Sequence, residues 1–227
     1  MTNSCSKKDA KLSIAVIDKN IDEVNSLLGK GANASSICIS DGITPLLMSS
    51  YHGETDILKK LLEYGASINE QNVNGASALI MASVNGDEKT VETLLDIDGI
   101  DLNMVDTKGF PALTFAAMNN FPKITKMLLD AGADNSIRDI YHRSALDHAI
   151  IKGSTDSLDA LLTYSTKKLT EDDMIMAHHF AVKHSSTDTI QKMDDMMLDN
   201  GLMVMDIGSG LSLSLKTLDG NNEEMPI

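Results

Sequence analysis

The sequence is poor in several residue types, and each shortage argues against a class of protein. Aromatic residues make up 4% of the 227 residues, with four Phe, four Tyr and no Trp. Stacking platforms for nucleic-acid bases and aromatic-lined ligand pockets draw on more aromatic side chains than this. The two cysteines, Cys5 and Cys38, do not form the dense pattern of a disulfide scaffold. We therefore expect a reducing compartment, the cytoplasm, with the nucleus as the alternative.

Positive charge is also scarce. Lys and Arg total 19 against 33 Asp and Glu, which gives a net charge of −14. Phosphate backbones and anionic membranes repel such a chain, so we expect neither nucleic acid nor membrane as a partner. No apolar run approaches the roughly 20 residues that a membrane span needs, and the polar start MTNSCSKKDA predicts no signal peptide. The composition indicates an acidic, soluble monomer.

Leucines recur at a nearly fixed interval along most of the chain. The first series has successive spacings of 34, 33, 34 and 33 residues: Leu12, Leu46, Leu79, Leu113 and Leu146. Fifteen residues after each member comes a pair of leucines: Leu27-Leu28, Leu61-Leu62, Leu94-Leu95, Leu128-Leu129 and Leu161-Leu162. A regular period of this length is typical of a repeat protein, in which neighbouring units share one continuous core.

Within one unit the pattern predicts two short helices. In GITPLLMSSYHGETDILKKLLEYGASIN, Thr44 can cap the first helix and Pro45 suits its first position. Gly53 can end that helix, and Asn120 takes this place in the fourth unit. The second helix carries one apolar stripe, formed by Ile57, Leu58, Leu61 and Leu62.

The string DGITPLLMSSYHGETDILKKLLEYGASIN resembles an ankyrin repeat, through its T-P-L, G and L-L-x-x-G-A pattern. The resemblance implies an all-α ankyrin-repeat solenoid of five to six helix-turn-helix units with β-turn connections. We expect one ankyrin-repeat domain over residues 1–206, with units at about 8–41, 42–74, 75–108, 109–141 and 142–173. Residues 174–206 are predicted to form a degenerate cap, and 207–227 an acidic, mobile tail, within which Leu211, Leu213 and Leu215 allow a short strand.

The degenerate cap is aligned through TDTIQKM, where Ile190 and Met193 take the leucine positions and Asp194 replaces the second leucine. Seven methionines crowd this part of the chain: Met174, Met176, Met193, Met196, Met197, Met203 and Met205. Methionine fills irregular gaps, which suits an end cap, and it also serves at adaptable binding surfaces. Both interpretations stay open here.

No pattern in the sequence indicates a catalytic site or a cofactor-binding site. Ser49, Ser50 and His52 lie close together but without the turn that exposes a catalytic nucleophile. His178, His179 and His184 lack the four-residue spacing that places two metal ligands on one helix face. We expect no catalytic residue, no metal and no cofactor.

In ankyrin-repeat proteins the groove is lined by the first helix of each unit, with the turn tips beside it. Transferred to this chain, the groove-facing pairs are Ile17-Asp18, Tyr51-His52, Val84-Asn85, Met118-Asn119 and Ile151-Lys152. The first member of every pair is apolar, and together they would make a ridge about 40 Å long. The alternative is that these side chains pack partly against the turn tips.

The turn tips add Phe110, Tyr141 and Arg143, residue types that are enriched at protein interfaces. The predicted partner-binding residues are Tyr51, His52, Val84, Asn85, Phe110, Met118, Asn119, Tyr141, Arg143 and Ile151. We expect a non-enzymatic protein-interaction module or scaffold that binds a protein partner, one with a basic patch because the chain is acidic. An assembly chaperone or regulatory subunit of a larger complex is the alternative. An enzyme with its site in the Met/His-rich region is a third hypothesis.

Overall fold

The structure, a computed structural model, describes residues 5–38, 40–165, 175, 178, 182, 187–199, 214–216 and 222–224. The helices of its first five units come in pairs: α1 Lys7–Ile17 with α2 Ile21–Gly29, α3 Pro45–Tyr51 with α4 Thr55–Glu63, α5 Ala78–Asn85 with α6 Glu88–Leu95, α7 Ala112–Met118 with α8 Pro122–Asp130, and α9 Ala145–Lys152 with α10 Thr155–Ser165. A further helix, α11, spans Thr187–Asp199. In the described part of the chain, no helix combines the length and apolarity required to cross a bilayer.

Short polar side chains cap the first helices at their amino ends. The hydroxyls of Ser6, Thr44, Ser77 and Ser144 each accept a hydrogen bond from the backbone N–H three residues later. Each of these bonds satisfies one of the donors that a helix start leaves without a partner in the helix. The predicted cap at Thr44, with Pro45 at the first helical position, is confirmed.

The turn between the two helices of a unit depends on one residue with a left-handed backbone. This conformation recurs in phase with the repeat, at Lys19, Gly53, Gly86, Asn120 and Gly153. At Gly86 space also excludes a side chain, because a Cβ atom there would lie 2.6 Å from Cζ of Phe121 in the next unit. The predicted roles of Gly53 and Asn120 in ending the first helix agree with these backbone angles.

The core runs continuously through the stack. First helices pack on first helices, in the order α1, α3, α5, α7, α9, and second helices on second helices in the same way. All ten leucines that lead the two predicted series are buried: Leu12, Leu46, Leu79, Leu113, Leu146, Leu27, Leu61, Leu94, Leu128 and Leu161. The all-α repeat solenoid predicted from their phase is confirmed.

The turn just before the first helix of each unit is called its turn tip. Backbone hydrogen bonds join the turn tips of neighbouring units. The N–H of Val73 donates to the carbonyl of Asp41 at 3.0 Å, and Thr107 donates to Asn74 at 2.9 Å. A third bond joins the tips of the fourth and fifth units: the N–H of Ile140 donates to the carbonyl of Lys108 at 3.0 Å. These bonds fix the spacing of neighbouring tips independently of the helices.

The described part of the cap packs through its methionines. Met193 and Met197 on α11 are buried, and Ile190 is half-buried. Asp194, which breaks the leucine pattern, has its Oδ1 2.6 Å from Nε2 of the buried His178. These contacts support the end-cap interpretation of the two methionines, since a buried side chain contributes nothing to a free binding surface.

The predicted mobile tail lies outside the described residues, except for two strands of three residues each. These are β1, Ser214–Lys216, and β2, Asn222–Glu224, which pair antiparallel with Leu215 opposite Glu223. Of the leucines that allow a strand here, Leu215 lies in β1, while Leu211 and Leu213 lie outside the described residues.

The two cysteines differ from the sequence prediction. Cys5 and Cys38 form a disulfide, with 5.2 Å between their Cα atoms. Cys5 directly precedes α1 and Cys38 follows the first helix pair, so the bond closes a loop around the whole first unit. The prediction of two cysteines without a disulfide is wrong, because one helical hairpin returns the chain to its starting point.

Candidate partner-binding surface

The predicted apolar row is present at the last turns of the first helices, but its exposure is uneven. Ile17 and Tyr51 each keep 47% of their surface exposed. Val84, Met118 and Ile151 are half-buried. The row is thus open at the amino-terminal end of the stack, while its other three members are partly buried as the alternative interpretation expects. We call this row, with the adjacent turn tips, the groove face.

Two of the predicted binding residues, both exposed, also form hydrogen bonds between neighbouring units. The side-chain amide of Asn85 donates to the carbonyl of Tyr51, and that of Asn119 donates to the carbonyl of Val84 at 3.4 Å. In the next unit the hydroxyl of Ser154 continues the series by donating to the carbonyl of Met118 at 3.0 Å. These bonds satisfy carbonyls at the carboxyl ends of the first helices, which have no partner within their own helix. His52 remains exposed, with its ring 5.3 Å from the ring of Tyr51.

Phe110 is part of an aromatic cluster and not a free side chain. Its ring meets the edge of Phe115 at a centroid distance of 5.6 Å and that of His148 at 5.0 Å. Both contacts are close to perpendicular, a favourable arrangement for aromatic rings. Phe110 is half-buried in this cluster, which joins the tip of the fourth unit to α9 of the fifth.

A buried contact between an aspartate and a histidine lies at the tip of the fifth unit. Oδ2 of Asp139 is 2.7 Å from Nε2 of His148, and both side chains are buried. The other carboxylate oxygen, Oδ1, accepts the backbone N–H of Tyr141 at 2.7 Å and that of Arg143 at 2.9 Å. Asp139 therefore links α9 to the turn that carries Tyr141 and Arg143.

Opposing effects act on the pKa of Asp139. Burial raises it, whereas the hydrogen bonds from the Arg143 amide, the His148 ring and the Tyr141 amide lower it. The hydrogen bonds prevail, so the pKa of Asp139 lies below its ordinary value of 3.8. The carboxylate is ionised at neutral pH and holds the turn as a charged acceptor.

Tyr141 and Arg143 project from the turn that Asp139 holds. Tyr141 is 63% exposed, and the guanidinium carbon of Arg143 lies 5.5 Å from the centre of its ring. This is the distance range of a cation–π contact. The hydrogen bond from Ile140 to Lys108 brings this tip beside that of the fourth unit, so the structure does bring Phe110, Tyr141 and Arg143 into one neighbourhood.

Asp139 and His148 were not among the residues singled out from the sequence, although a signal for Asp139 exists. Asn72, Asp106 and Asp139 follow one another at 34 and 33 residues, and each accepts backbone N–H groups two and four residues later. A side-chain acceptor recurring in phase just before each tip indicates a turn built on it. His148 has no comparable repeat.

The side chains considered for chemistry have ordinary structural partners. The hydroxyls of Ser49 and Ser50 both donate to the carbonyl of Leu46, at 2.8 and 3.0 Å. His178 contacts Asp194 as described above, while His179 and His184 lie outside the described residues. Among the described residues, no three His, Cys, Asp or Glu side chains are grouped so as to hold a metal ion.

Stacked helix pairs with linked tips are a feature that this chain shares with a known family. The family model for ankyrin repeats in three copies matches residues 12–106 and 98–173. The chain belongs to the ankyrin-repeat family. Members of this family are generally protein–protein interaction modules and typically have no enzymatic activity.

Several known proteins are similar to parts of this chain. The ankyrin repeat and KH domain-containing protein mask-1 of Caenorhabditis elegans is 35% identical over 187 residues, which cover 82% of this chain and 7% of that protein. The ankyrin repeat protein FPV031 of fowlpox virus is 33% identical over 135 residues, or 58% of this chain and 39% of that protein. A homolog of the transient receptor potential cation channel subfamily A member 1 from Caenorhabditis elegans is 28% identical over 151 residues, or 66% of this chain and 12% of that protein. The chain therefore spans well under half the length of each of these relatives.

Proposed function

We propose that this ankyrin-repeat chain is a monomeric, non-enzymatic binding module that holds a protein partner on its groove face. The observation that carries the proposal is the exposure of large aromatic side chains on a rigidly held surface. Tyr51 and Tyr141 are exposed by 47% and 63%, on the C-terminal turn of a first helix and on a tip. Tyrosine offers a large contact area at a small loss of side-chain entropy, which is why it is enriched at interfaces.

Rigidity of the tips supports the same function. The tip of the fifth unit is held by the carboxylate of Asp139 and by the hydrogen bond from Ile140 to Lys108. A surface that is already ordered before binding loses little entropy when the partner arrives. The inter-repeat bonds of Asn85 and Asn119 have the same effect on the first helices.

Tyr141 and Arg143, with Met118 and Ile151, form the carboxyl-terminal part of the site, and Tyr51 with His52 forms its amino-terminal part. Val84 contributes apolar surface between them. In this proposal Phe110, Asn85 and Asn119 hold the surface in shape.

The experiment is a comparative affinity purification with a matched control. The protein and its Tyr51→Ala/Tyr141→Ala and Tyr64→Ala variants are each used as bait, and the retained proteins are quantified by mass spectrometry. Tyr64 is 49% exposed and follows the second helix α4, away from the groove face. We expect at least one protein to be retained by the protein and by the Tyr64 variant but lost from the double variant.

Proteins retained equally by all three baits would contradict binding on the groove face. The folded state of each variant is checked by far-ultraviolet circular dichroism. All three substituted tyrosines are exposed, and exposed side chains away from special features change stability little.

A further inference from the structure

Charge is distributed unevenly along the groove face. At its amino-terminal end the charged side chains are Asp18, beside Ile17, and Asp41 at the tip of the second unit. The middle positions Asn74 and Asn85 are neutral. Further along the stack three cationic side chains lie on this face: Lys108 and Arg143 on the tips of the fourth and fifth units, and Lys152 at the end of α9. The surface thus changes sign along the stack, although the whole chain is strongly acidic.

The three cations at this end have no carboxylate partner among the described residues. Some lysines elsewhere in the stack pair with acids of their own or neighbouring units, as Lys19 does with Glu54 at 2.7 Å and Lys123 with Glu88 at 3.3 Å. Within the parts of the chain that the structure describes, no such ion pair forms at Lys108, Arg143 or Lys152.

Several carboxylates close in sequence to these cations are engaged by other groups, and the exposed Asp156 accepts the side-chain amide of Asn120 at 3.4 Å. Asp106 accepts the backbone N–H groups of Lys108 and Phe110 at 2.9 and 2.8 Å. Asp139 is buried against His148, and Asp147 is buried in the cap of α9, where Ser144 donates to it. Asp106, Asp139 and Asp147 therefore hold turns and a helix start. Lys108 and Lys152 are exposed, and Arg143 is half-buried beside Tyr141.

The electrostatic interaction of a bound segment depends on the charged side chains close to it more than on the net charge of the whole chain. At physiological salt an exposed charge is screened beyond about 8 Å, so a segment lying on the last two tips is affected by the side chains it touches. The net charge of the chain acts mainly on the first encounter. The sequence prediction of a partner with a basic patch used the net charge of −14, and it does not fit this end of the groove face.

We propose that the carboxyl-terminal end of the groove face binds an acidic segment of a protein partner. In this arrangement carboxylates of the segment pair with Lys108, Arg143 and Lys152, and apolar side chains of the segment lie on Met118, Tyr141 and Ile151. The inference rests on the proposed function and deepens it by giving the chemistry of the partner. The opposite charge at Asp18 and Asp41 gives the bound segment one direction along the stack, with its acidic part over the fourth and fifth units.

Two fluorescein-labelled peptides of about eight residues test this, a length that extends over about 26 Å and covers the fourth and fifth units. One repeats Glu-Glu-Leu-Phe and the other repeats Lys-Lys-Leu-Phe, so they differ only in the sign of charge. Binding to the full chain is measured by fluorescence anisotropy. We expect the acidic peptide to bind more tightly, and its affinity to fall as salt is raised from 50 to 300 mM.

Charge reversal at the site is compared with the same charge reversal elsewhere. The Lys108→Glu/Arg143→Glu/Lys152→Glu variant should lose affinity for the acidic peptide by about tenfold or more, equivalent to about 1.4 kcal/mol. The control Lys59→Glu/Lys89→Glu/Lys126→Glu changes the same charge at exposed positions of second helices, and it should bind the acidic peptide as the unaltered protein does.

Three results would overturn the inference. They are failure of the acidic peptide to bind, equal or tighter binding of the basic peptide, and equal losses in the two charge-reversed variants. The proposed function is tested by a separate experiment, the loss of a captured protein from the Tyr51→Ala/Tyr141→Ala bait. A partner lost from that bait but retained by the Lys108→Glu/Arg143→Glu/Lys152→Glu bait would leave the groove face in place and reject the acidic segment.

Discussion

Asp139 and His148 contact each other across the junction between the tip of the fifth unit and helix α9, with 2.7 Å between Oδ2 and Nε2. The same carboxylate holds the amides of Tyr141 and Arg143. One buried side chain therefore connects the packing of a helix to the presentation of the two tip residues proposed to meet the partner.

Removing the Asp139 carboxylate should destabilise the protein more than removing its counterpart in the fourth unit. Asp106 accepts two tip amides just as Asp139 does, but no histidine contacts it among the described residues. We expect Asp139→Ala to lower the free energy of unfolding by about 3 kcal/mol, because it leaves buried donors without an acceptor. Asp106→Ala should lower it by about half as much, as measured by urea denaturation. Equal losses would contradict a stabilising role for the contact with His148.

The carboxylate of Asp139 should also contribute to the decline of the free energy of unfolding at acidic pH. Since its pKa is lowered in the folded state, its contribution is complete above the unfolded value of about 3.9 and is lost as pH falls through the lower folded value. We expect the stability of the protein to decline below about pH 4, and the decline to be shallower in Asp139→Ala. Parallel acid limbs in the two proteins would show that Asp139 does not titrate in this way.

Gly86 should tolerate alanine much less than Gly153, although both have a left-handed backbone. A Cβ at Gly86 would meet the ring of Phe121 at 2.6 Å, whereas at Gly153 nothing lies within 4 Å. We expect Gly153→Ala to lower stability by about 1 kcal/mol, for the backbone alone, and Gly86→Ala by about 2 to 3 kcal/mol, since the ring must also move. Thermal unfolding of the two variants measures the difference. Equal effects would mean that Phe121 does not pack as the structure has it.

Reducing the Cys5–Cys38 disulfide should destabilise the first unit. The bond joins residues 33 positions apart, and closing a loop of that size stabilises a folded protein by about 2 to 4 kcal/mol. We expect faster amide exchange in α1 and α2 after reduction, measured by hydrogen–deuterium exchange, with α7 and α8 unaffected. In the Cys5→Ser/Cys38→Ser variant the reductant should have no effect. If the protein exchanges equally with and without reductant, the disulfide does not hold the first unit.

Asn119→Ala should lower the stability of the stack but leave the affinity for a partner nearly unchanged. Its amide donates to the carbonyl of Val84 at 3.4 Å, a long hydrogen bond, so we expect a loss of about 0.5 to 1 kcal/mol in stability. The affinity for a groove-face partner should change less than twofold, as measured by isothermal titration calorimetry. A large loss of affinity with unchanged stability would show that Asn119 contacts the partner, as the sequence predicts.

The period of the leucines was sufficient to predict the helix pairs and the core, because burial of one residue per helix recurs wherever the repeat recurs. The position of Asn119 on the groove face was also predictable, but the direction of its amide was not. An exposed asparagine can face solvent or reach the neighbouring helix, and only the distance between helices decides which carbonyl it meets.

The disulfide and the charge pattern were harder to predict for different reasons. Cys5 and Cys38 meet because the first helical hairpin brings its two ends together, which their separation in sequence alone does not reveal. Lys108, Arg143 and Lys152 come from two tips and a helix end, so their grouping depends on how the fourth and fifth units stack. The net charge of the chain conceals this grouping.

Hydroxyl-radical footprinting of the protein, alone and with the partner that the affinity purification identifies, tests most directly which face is used. Tyrosine and methionine react readily with the radical, and both faces carry suitable probes. We expect protection of Tyr51, Met118 and Tyr141 on partner binding, and unchanged oxidation of Tyr64 beyond the second helix α4. Protection of Tyr64 with unchanged oxidation of Tyr51 and Tyr141 would contradict binding on the groove face.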